Sequence, residues 1–172
     1  MNGIAIDPAA AVEAAMPRKR RFLLLSLAIL AADQWTKWLI ELRLPEPSST
    51  EIIPGLFHLS HVRNRGVAFG IFNSLSPEIS RWGLSLLALG ALALVAHLFR
   101  GAPAQATRLL TALALVLGGA VGNLLDRLVQ GSVTDFLGVY IGSYRWPDFN
   151  LADSAICVGL GLLLLDSFRS RS

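Results

Sequence analysis

The chain has 172 residues, 53% of them apolar and only 16% charged, with a formal net charge of +3. Soluble domains carry about a quarter charged residues, and disordered chains combine few apolar residues with high net charge, so neither class fits. So small a charge is no nucleic-acid footprint, and one cysteine excludes an internal disulfide framework and a cysteine-rich zinc site.

A helix needs about 20 mostly apolar residues to cross a hydrocarbon core about 30 Å thick. Residues 1–21 read as a cytoplasmic N-terminal tail, flexible over residues 1–17, and residues 22–172 as one membrane domain. The first span is expected over Phe22–Ile40 and contains Asp33 and Lys37. The basic run Arg18–Arg21 and the apolar run behind it also suit a secretory signal peptide. A cut after Ala31 or Ala32 would require a small residue at Ile29 or Leu30, so the segment is expected to remain as a span.

Next come Leu56–Arg63 and Val67–Phe72, short apolar-rich runs separated by Asn64-Arg65-Gly66, where Asn and Gly can supply a turn. The second span, Trp82–Phe99, holds His97, and the third, Leu109–Val129, holds Asp126 and Arg127 near its end. Val139–Trp146 mixes β-branched and aromatic residues in the manner of a strand. The fourth span, Asn150–Phe168, has Asp153 near its start. The expected fold is an all-α membrane protein with four transmembrane helices and a small extramembrane β-rich cap.

Lysine and arginine mark the cytoplasmic side of a membrane protein. Arg18–Arg21, Arg100 with Arg108, and Arg169 with Arg171 all fall on one side of a four-span chain. Both termini are expected there, and the cap on the outer face, where Tyr144 and Trp146 suit the headgroup layer. The arginines of the outer connections are offset by Glu41, Glu46, Glu51, Glu78, Asp135 and Asp148.

A charge inside a span costs at least about 2.5–3.5 kcal/mol, so each needs a partner or a task. Asp33 and Lys37 are four apart with the acid first, the favourable order for a helical ion pair, and a self-neutralising lock on neighbouring spans is the leading reading. Gln34 and Thr36 add hydrogen-bonding groups beside it. Gly118 and Gly122 form a small face that lets another helix approach. Asn123, Asp126 and Arg127 share a helical face, either as an interfacial cluster closing the helix or as groups that position a substrate.

Asp135 follows the third span and Asp153 opens the fourth, so both lie near one membrane boundary on elements able to pack together. Asn150 shares a helical face with Asp153, which also sits where the helix dipole favours an anion. Two facing carboxyls share one proton and titrate as a pair. Such a pair performs peptide hydrolysis without a metal or a nucleophilic side chain: the ionised acid takes a proton from water, and the protonated acid hydrogen-bonds the scissile carbonyl. The plainer alternative leaves both acids solvated, or Asp153 capping its helix. His58 and His61 lack a zinc-protease pattern and read as surface residues, and Cys157 reads as a packing residue far from the polar groups. No metal or other cofactor is expected.

Five ordered motifs then carry a resemblance: Asp33-Gln34-x-Thr36-Lys37; Asn64-x-Gly66-x-Ala68-Phe69-Gly70; Gly118-Gly119-Ala120-x-Gly122-Asn123-x-x-Asp126-Arg127; Val133-x-Asp135-Phe136; and Phe149-Asn150-x-Ala152-Asp153-Ser154. From about Ala32 to Phe168 the chain resembles the lipoprotein signal peptidases (signal peptidase II) of bacterial inner membranes. The resemblance implies a membrane aspartic endopeptidase that removes the signal peptide from prolipoproteins whose cysteine already carries a diacylglyceryl group, cutting before that cysteine. It implies Asp135 and Asp153 as the catalytic pair, and Asp33, Lys37, Asn64, Gly66, Asn123, Arg127 and Asn150 as groups that bind substrate or support the site. The expected partners are the lipidated substrates and membrane lipid, with the protein a monomer. The long N-terminal tail, Arg65 and Val67 depart from the family pattern and affect peripheral contacts. Two other classes stay in view: a proton-coupled transporter, disfavoured because the acids cluster at one boundary and no inverted repeat is present, and a non-catalytic subunit held by glycine packing.

Overall fold

The structure, a computed structural model, describes residues 8–66 and 76–169. Four long helices alternate with two β-hairpins: α1 (Pro8–Arg43), β1 (Ser48–Ile53), β2 (Phe57–Asn64), α2 (Pro77–Gly101), α3 (Thr107–Gln130), β3 (Val133–Ile141), β4 (Tyr144–Phe149) and α4 (Leu151–Arg169). The apolar parts of the helices run 25, 24, 24 and 18 residues, each near the length a bilayer requires. Leu86, Leu87, Leu94, Leu164, Leu165 and Phe168 lie exposed on α2 and α4, the arrangement expected where the surrounding solvent is hydrocarbon.

α1 begins at Pro8, well ahead of the expected span start at Phe22, so residues 8–17 are helical where a flexible tail was expected. The alanine-rich run after Pro8 explains the extension, since alanine is the best helix former and proline suits the first helical position. Lys19, one of the basic residues ahead of the first span, is tied to α2. It is buried and donates to the carbonyls of Phe99 (2.9 Å) and Arg100 (2.8 Å) at the end of α2. A lysine there satisfies carbonyls that the helix leaves unpaired and complements its negative end.

α3 is the central helix and packs against the other three. Leu110, Ala112, Leu113 and Ala114 are wholly buried, and Phe22 and Phe99 close a core at the end of the bundle away from the sheet. Gly118 and Gly122 lie against Ser26 and Asp33 of α1, the close approach their spacing implies, and Gly119 lies against α4. A Cβ at Gly119 would sit 2.4 Å from the Ala152 carbonyl oxygen, and backbone has no room to yield. Gly119→Ala is therefore expected to cost about 1–3 kcal/mol, the range for overpacking, read as a lower thermal midpoint in detergent.

The strands form one antiparallel sheet in the order β1-β2-β3-β4. It stands at the end of the bundle where α1 and α3 finish and α2 and α4 begin. The central pairing joins β2 to β3 across two intervening helices, with Val62 opposite Asp135, Arg63 opposite Thr134 and Asn64 opposite Val133. Leu56–Arg63 is essentially the expected run, whereas Val67–Phe72 lies outside the described residues. Val139–Trp146 is not one strand: it turns at Gly142-Ser143 and divides between β3 and β4, because a two-residue turn with Gly reverses the chain. β1 is an edge strand whose side chains are almost all exposed, so it has no hydrophobic alternation to reveal it.

Candidate active site

Six elements meet where the sheet joins the helices, and each brings polar side chains. Asp135 projects from β3, on the same face of the sheet as Asn64 of β2, which donates through Nδ2 to Asp135 Oδ2 at 2.9 Å. Asn64 Oδ1 in turn accepts the Gly66 amide at 2.8 Å. Gly66 adopts φ +94°, and a Cβ there would strike the Leu84 side chain, so this glycine shapes the turn that aims Asn64.

Asn150 precedes α4 and binds both acids. Its Nδ2 donates to Asp135 Oδ1 at 2.7 Å, and its backbone amide donates to Asp153 Oδ2 at 3.3 Å. Asp153 N–H donates to Asn150 Oδ1 at 2.9 Å, so the two residues cap the helix reciprocally. Asp153 does cap its helix, as the plainer reading allowed, and it does so while standing beside Asp135. From α3, Asn123 Nδ2 donates to Asp153 Oδ1 at 2.7 Å.

Asn123 Oδ1 accepts from Lys37 Nζ at 3.1 Å, which ties the pair to a charged triad. Lys37 lies 2.7 Å from Asp33 and 2.7 Å from Asp126, with all three side chains almost wholly buried. The Asp33–Lys37 pair forms as the spacing implies, but it is one arm of a larger group. Asp33 Oδ1 also accepts the amide of Ala152 at 2.9 Å, serving an orphan donor in the first turn of α4. Gln34 donates to Asp126 at 2.8 Å and to Asp33 at 3.2 Å. Gly122 makes room for this, since a Cβ would lie 2.6 Å from Asp33 Oδ2.

Arg127 donates to the Asn123 carbonyl at 3.2 Å, and its charge interacts with those of Asp153, Asp135 and Asp126. Its own carbonyl accepts from Arg81 Nε at 2.9 Å, while Arg81 Nη2 reaches Leu128 O, so α2 is fastened to the end of α3. Every expected site residue is thus brought to one cluster. Glu41 and Thr134 join them without having been singled out: Thr134 donates to Glu41 Oε1 at 2.6 Å, one residue before Asp135. Arg63, opposite Thr134 on β2, reaches Glu41, Glu46 and Gln130. These bonds pin β2 and β3 to the ends of α1 and α3. Nothing in the local sequence marks Glu41 or Thr134, because their meeting depends on the β2–β3 register.

Two expectations are corrected. His61 is not a surface residue: it is buried and its Nδ1 lies 2.9 Å from the Leu44 carbonyl oxygen, while His58 is half-buried and tilted against Tyr140 at 4.7 Å. Their place in the middle strand β2, covered on both sides by neighbours, accounts for this. Cys157 is not remote from the polar groups. It is exposed one turn beyond Asp153 and lines a cavity with it.

The Asp135 carboxyl is pushed up to about 7, chiefly by burial. The hydrogen bond from Asn64 opposes the rise, the charge of Asp153 adds to it, and Asn150 and Lys37 oppose it. An unfolded aspartate titrates near 3.9, so folding favours the protonated form. The associated stability is fully present below about pH 4 and is lost as pH rises to about 7. The thermal midpoint is therefore expected to fall between pH 5 and pH 8, and to fall less in Asp135→Asn, which measurements in one detergent would check.

Four spans, a small sheet and a buried acid cluster at their junction define a multi-pass membrane protein, and the fold is that of a membrane enzyme. A solved bacterial membrane enzyme superposes with a TM-score of 0.78 at 29% identity, covering 88% of this chain and 90% of that one. Residues 25–169 match the family described as Signal peptidase (SPase) II. The lipoprotein signal peptidase of Solibacter usitatus is 43% identical over 143 residues, 83% of this chain and 87% of that protein. That of Geobacter sulfurreducens is 43% identical over 154 residues, 89% and 94%. The chain belongs to the signal peptidase II family.

Proposed function

We propose that this protein is an aspartic endopeptidase that removes signal peptides from diacylglyceryl-modified prolipoproteins, cutting before the lipidated cysteine. The observation that carries the reading is Asn150, whose side-chain and backbone amides hold Asp135 and Asp153 in one hydrogen-bonded group. In such a pair one carboxyl holds the proton and the other is ionised, and burial, which pushes Asp135 up to about 7, suits Asp135 to the protonated role.

Asp153 then takes a proton from the attacking water, and Asp135 hydrogen-bonds and protonates the scissile carbonyl oxygen as the tetrahedral diol forms. On collapse, that hydroxyl proton returns to Asp135, and Asp153 gives its proton to the departing cysteine nitrogen. Asn123 holds Asp153 in place, its own oxygen fixed by Lys37. Loss of the Asp135 proton ends this cycle, so activity is expected to decline as pH rises through about 7.

The remaining assignments complete the reading. Residues 22–172 form the peptidase domain behind an N-terminal tail, in the inner membrane, with both termini cytoplasmic. Lys19, Arg100 and Arg108 lie at the bundle end opposite the sheet, which supports an outward-facing cap and site. The protein acts as a monomer on lipidated substrate amid membrane lipid.

The test is cleavage in detergent of a diacylglyceryl-modified prolipoprotein and its unlipidated twin. Cutting of the lipidated form alone is the expected result. Cutting of both would remove the lipid requirement, and cutting of neither by folded protein would overturn the peptidase reading.

A further inference from the structure

Asp33, Lys37 and Glu41 follow one another at intervals of four along α1, so they leave the helix on one face. Each anchors a different element. Asp33 accepts the Ala152 amide of α4, Lys37 donates to Asn123 of α3, and Glu41 accepts from Thr134 of β3 at 2.6 Å. The hydrolytic cycle described above gives Glu41 no role.

Thr134 is wholly buried and immediately precedes Asp135. Successive strand residues face opposite sides of a sheet, so Thr134 reaches toward α1 while Asp135 reaches into the acid cluster. The Thr134 carbonyl accepts from Asn150 Nδ2 at 3.4 Å, and the same nitrogen donates to Asp135 Oδ1 at 2.7 Å. The residue before Asp135 is thus gripped by its hydroxyl and by its carbonyl. The ladder alone holds this place less firmly. The β2–β3 register shifts between Leu59 and Val62, and Val62 is the partner of Asp135. Such a break bends the strand and leaves the aim of the adjacent side chain to other contacts.

Glu41 is itself held. Arg63, opposite Thr134 on β2, lies 3.7 Å from Glu41 Oε1, and Arg63 Nε donates to Glu46 at 3.1 Å. The half-buried carboxylate therefore has a fixed place in which to receive the threonine hydroxyl, and a hydrogen bond to a charged oxygen is the stronger kind.

Resting on the peptidase reading above, we infer that Glu41 is a positioning residue for the hydrolysis: through Thr134 it holds the β3 backbone so that Asp135 stays directed at the scissile carbonyl. Neither Glu41 nor Thr134 touches the reacting atoms. Loss of their bond leaves Asp135 in the site but misdirects it, and a displacement of about 1 Å in a reacting group costs up to about 100-fold in rate.

The experiment measures kcat and KM on a diacylglyceryl-modified prolipoprotein for wild type, Thr134→Val, Glu41→Leu, the two combined, and Glu41→Gln, each beside thermal unfolding in one detergent. Thr134→Val keeps the shape of the side chain and leaves Glu41 beside Arg63, while Glu41→Leu removes the acceptor. Each is expected to lower kcat about tenfold with KM near wild type, the mark of an interaction that counts in the transition state. The combined variant is expected to fall no further than the lower single, because all three lose the same bond. Glu41→Gln keeps an acceptor oxygen and is expected to recover most of the rate lost in Glu41→Leu. Folded variants with wild-type kcat and only a lower thermal midpoint would overturn the assignment and leave the bond a structural tie. A change in KM alone, losses that multiply in the combined variant, or a glutamine no better than leucine would overturn it as well. Should Glu41→Leu not fold, Thr134→Val against Thr134→Ser decides, since serine keeps the hydroxyl; equal rates overturn the assignment. Wild type that cleaves nothing overturns instead the peptidase reading on which it rests.

Discussion

Asp153→Asn and Asp135→Asn are each expected to lower the rate of prolipoprotein cleavage by about 10²–10⁴-fold, the contribution of a positioned acid or base. Both variants are expected to remain folded. An asparagine at 153 still offers an oxygen to the Asn150 amide, which keeps the cap of α4. An asparagine at 135 removes a buried ionisable group, though its amide meets the Asn64 or the Asn150 amide donor-to-donor. Single-turnover cleavage beside thermal unfolding checks both halves of the expectation. A folded variant with wild-type turnover would exclude that aspartate from the chemistry.

Lys37→Met should be the most destabilising single change in the bundle. It strands Asp33 and Asp126, whose side chains are 0% and 2% exposed, without a counter-charge. Breaking a buried ion pair in this way costs about 3–5 kcal/mol. The loss lies in the unpaired acids more than in the missing lysine, so adding Asp33→Asn and Asp126→Asn to Lys37→Met is expected to recover a large part of it. Thermal midpoints of the single and triple variants in one detergent measure this. A single variant as stable as wild type would refute the triad's structural role.

The sequence made the spans legible because hydrocarbon imposes a length and a composition that few other environments require. The polar cluster was legible for the same reason, since Asp33, Lys37, Asp126 and Arg127 stand out wherever charge is costly. Less legible was what pairs with what. Asp126 as the second acid on Lys37 depends on α1 and α3 facing each other at one height, a tertiary fact hinted at only by one lysine between two acids. The contacts of Lys19 were not legible either, because its place depends on where α2 ends. The sheet was partly visible: β2 has apolar character, but β1 is polar and exposed, and the turn at Gly142 divides a run that reads as one strand. Glu41 and Thr134 could not be found without the strand register.

The pairing of β2 with β3 also sets an order of biogenesis. Asn64 must wait 71 residues for Asp135, and Asp33 must wait 119 for the amide of Ala152. Such contacts are the slowest to form because loop closure precedes any gain from them. A ribosome-bound chain that has placed its first two helices holds Asn64 and the Asp33–Lys37 pair, yet has neither Asp135 nor Asp153. The buried polar cluster is completed only when the last helix enters the bilayer, so under the proposed mechanism the nascent protein has no assembled means of cutting its own apolar segments or its neighbours' while it is being inserted.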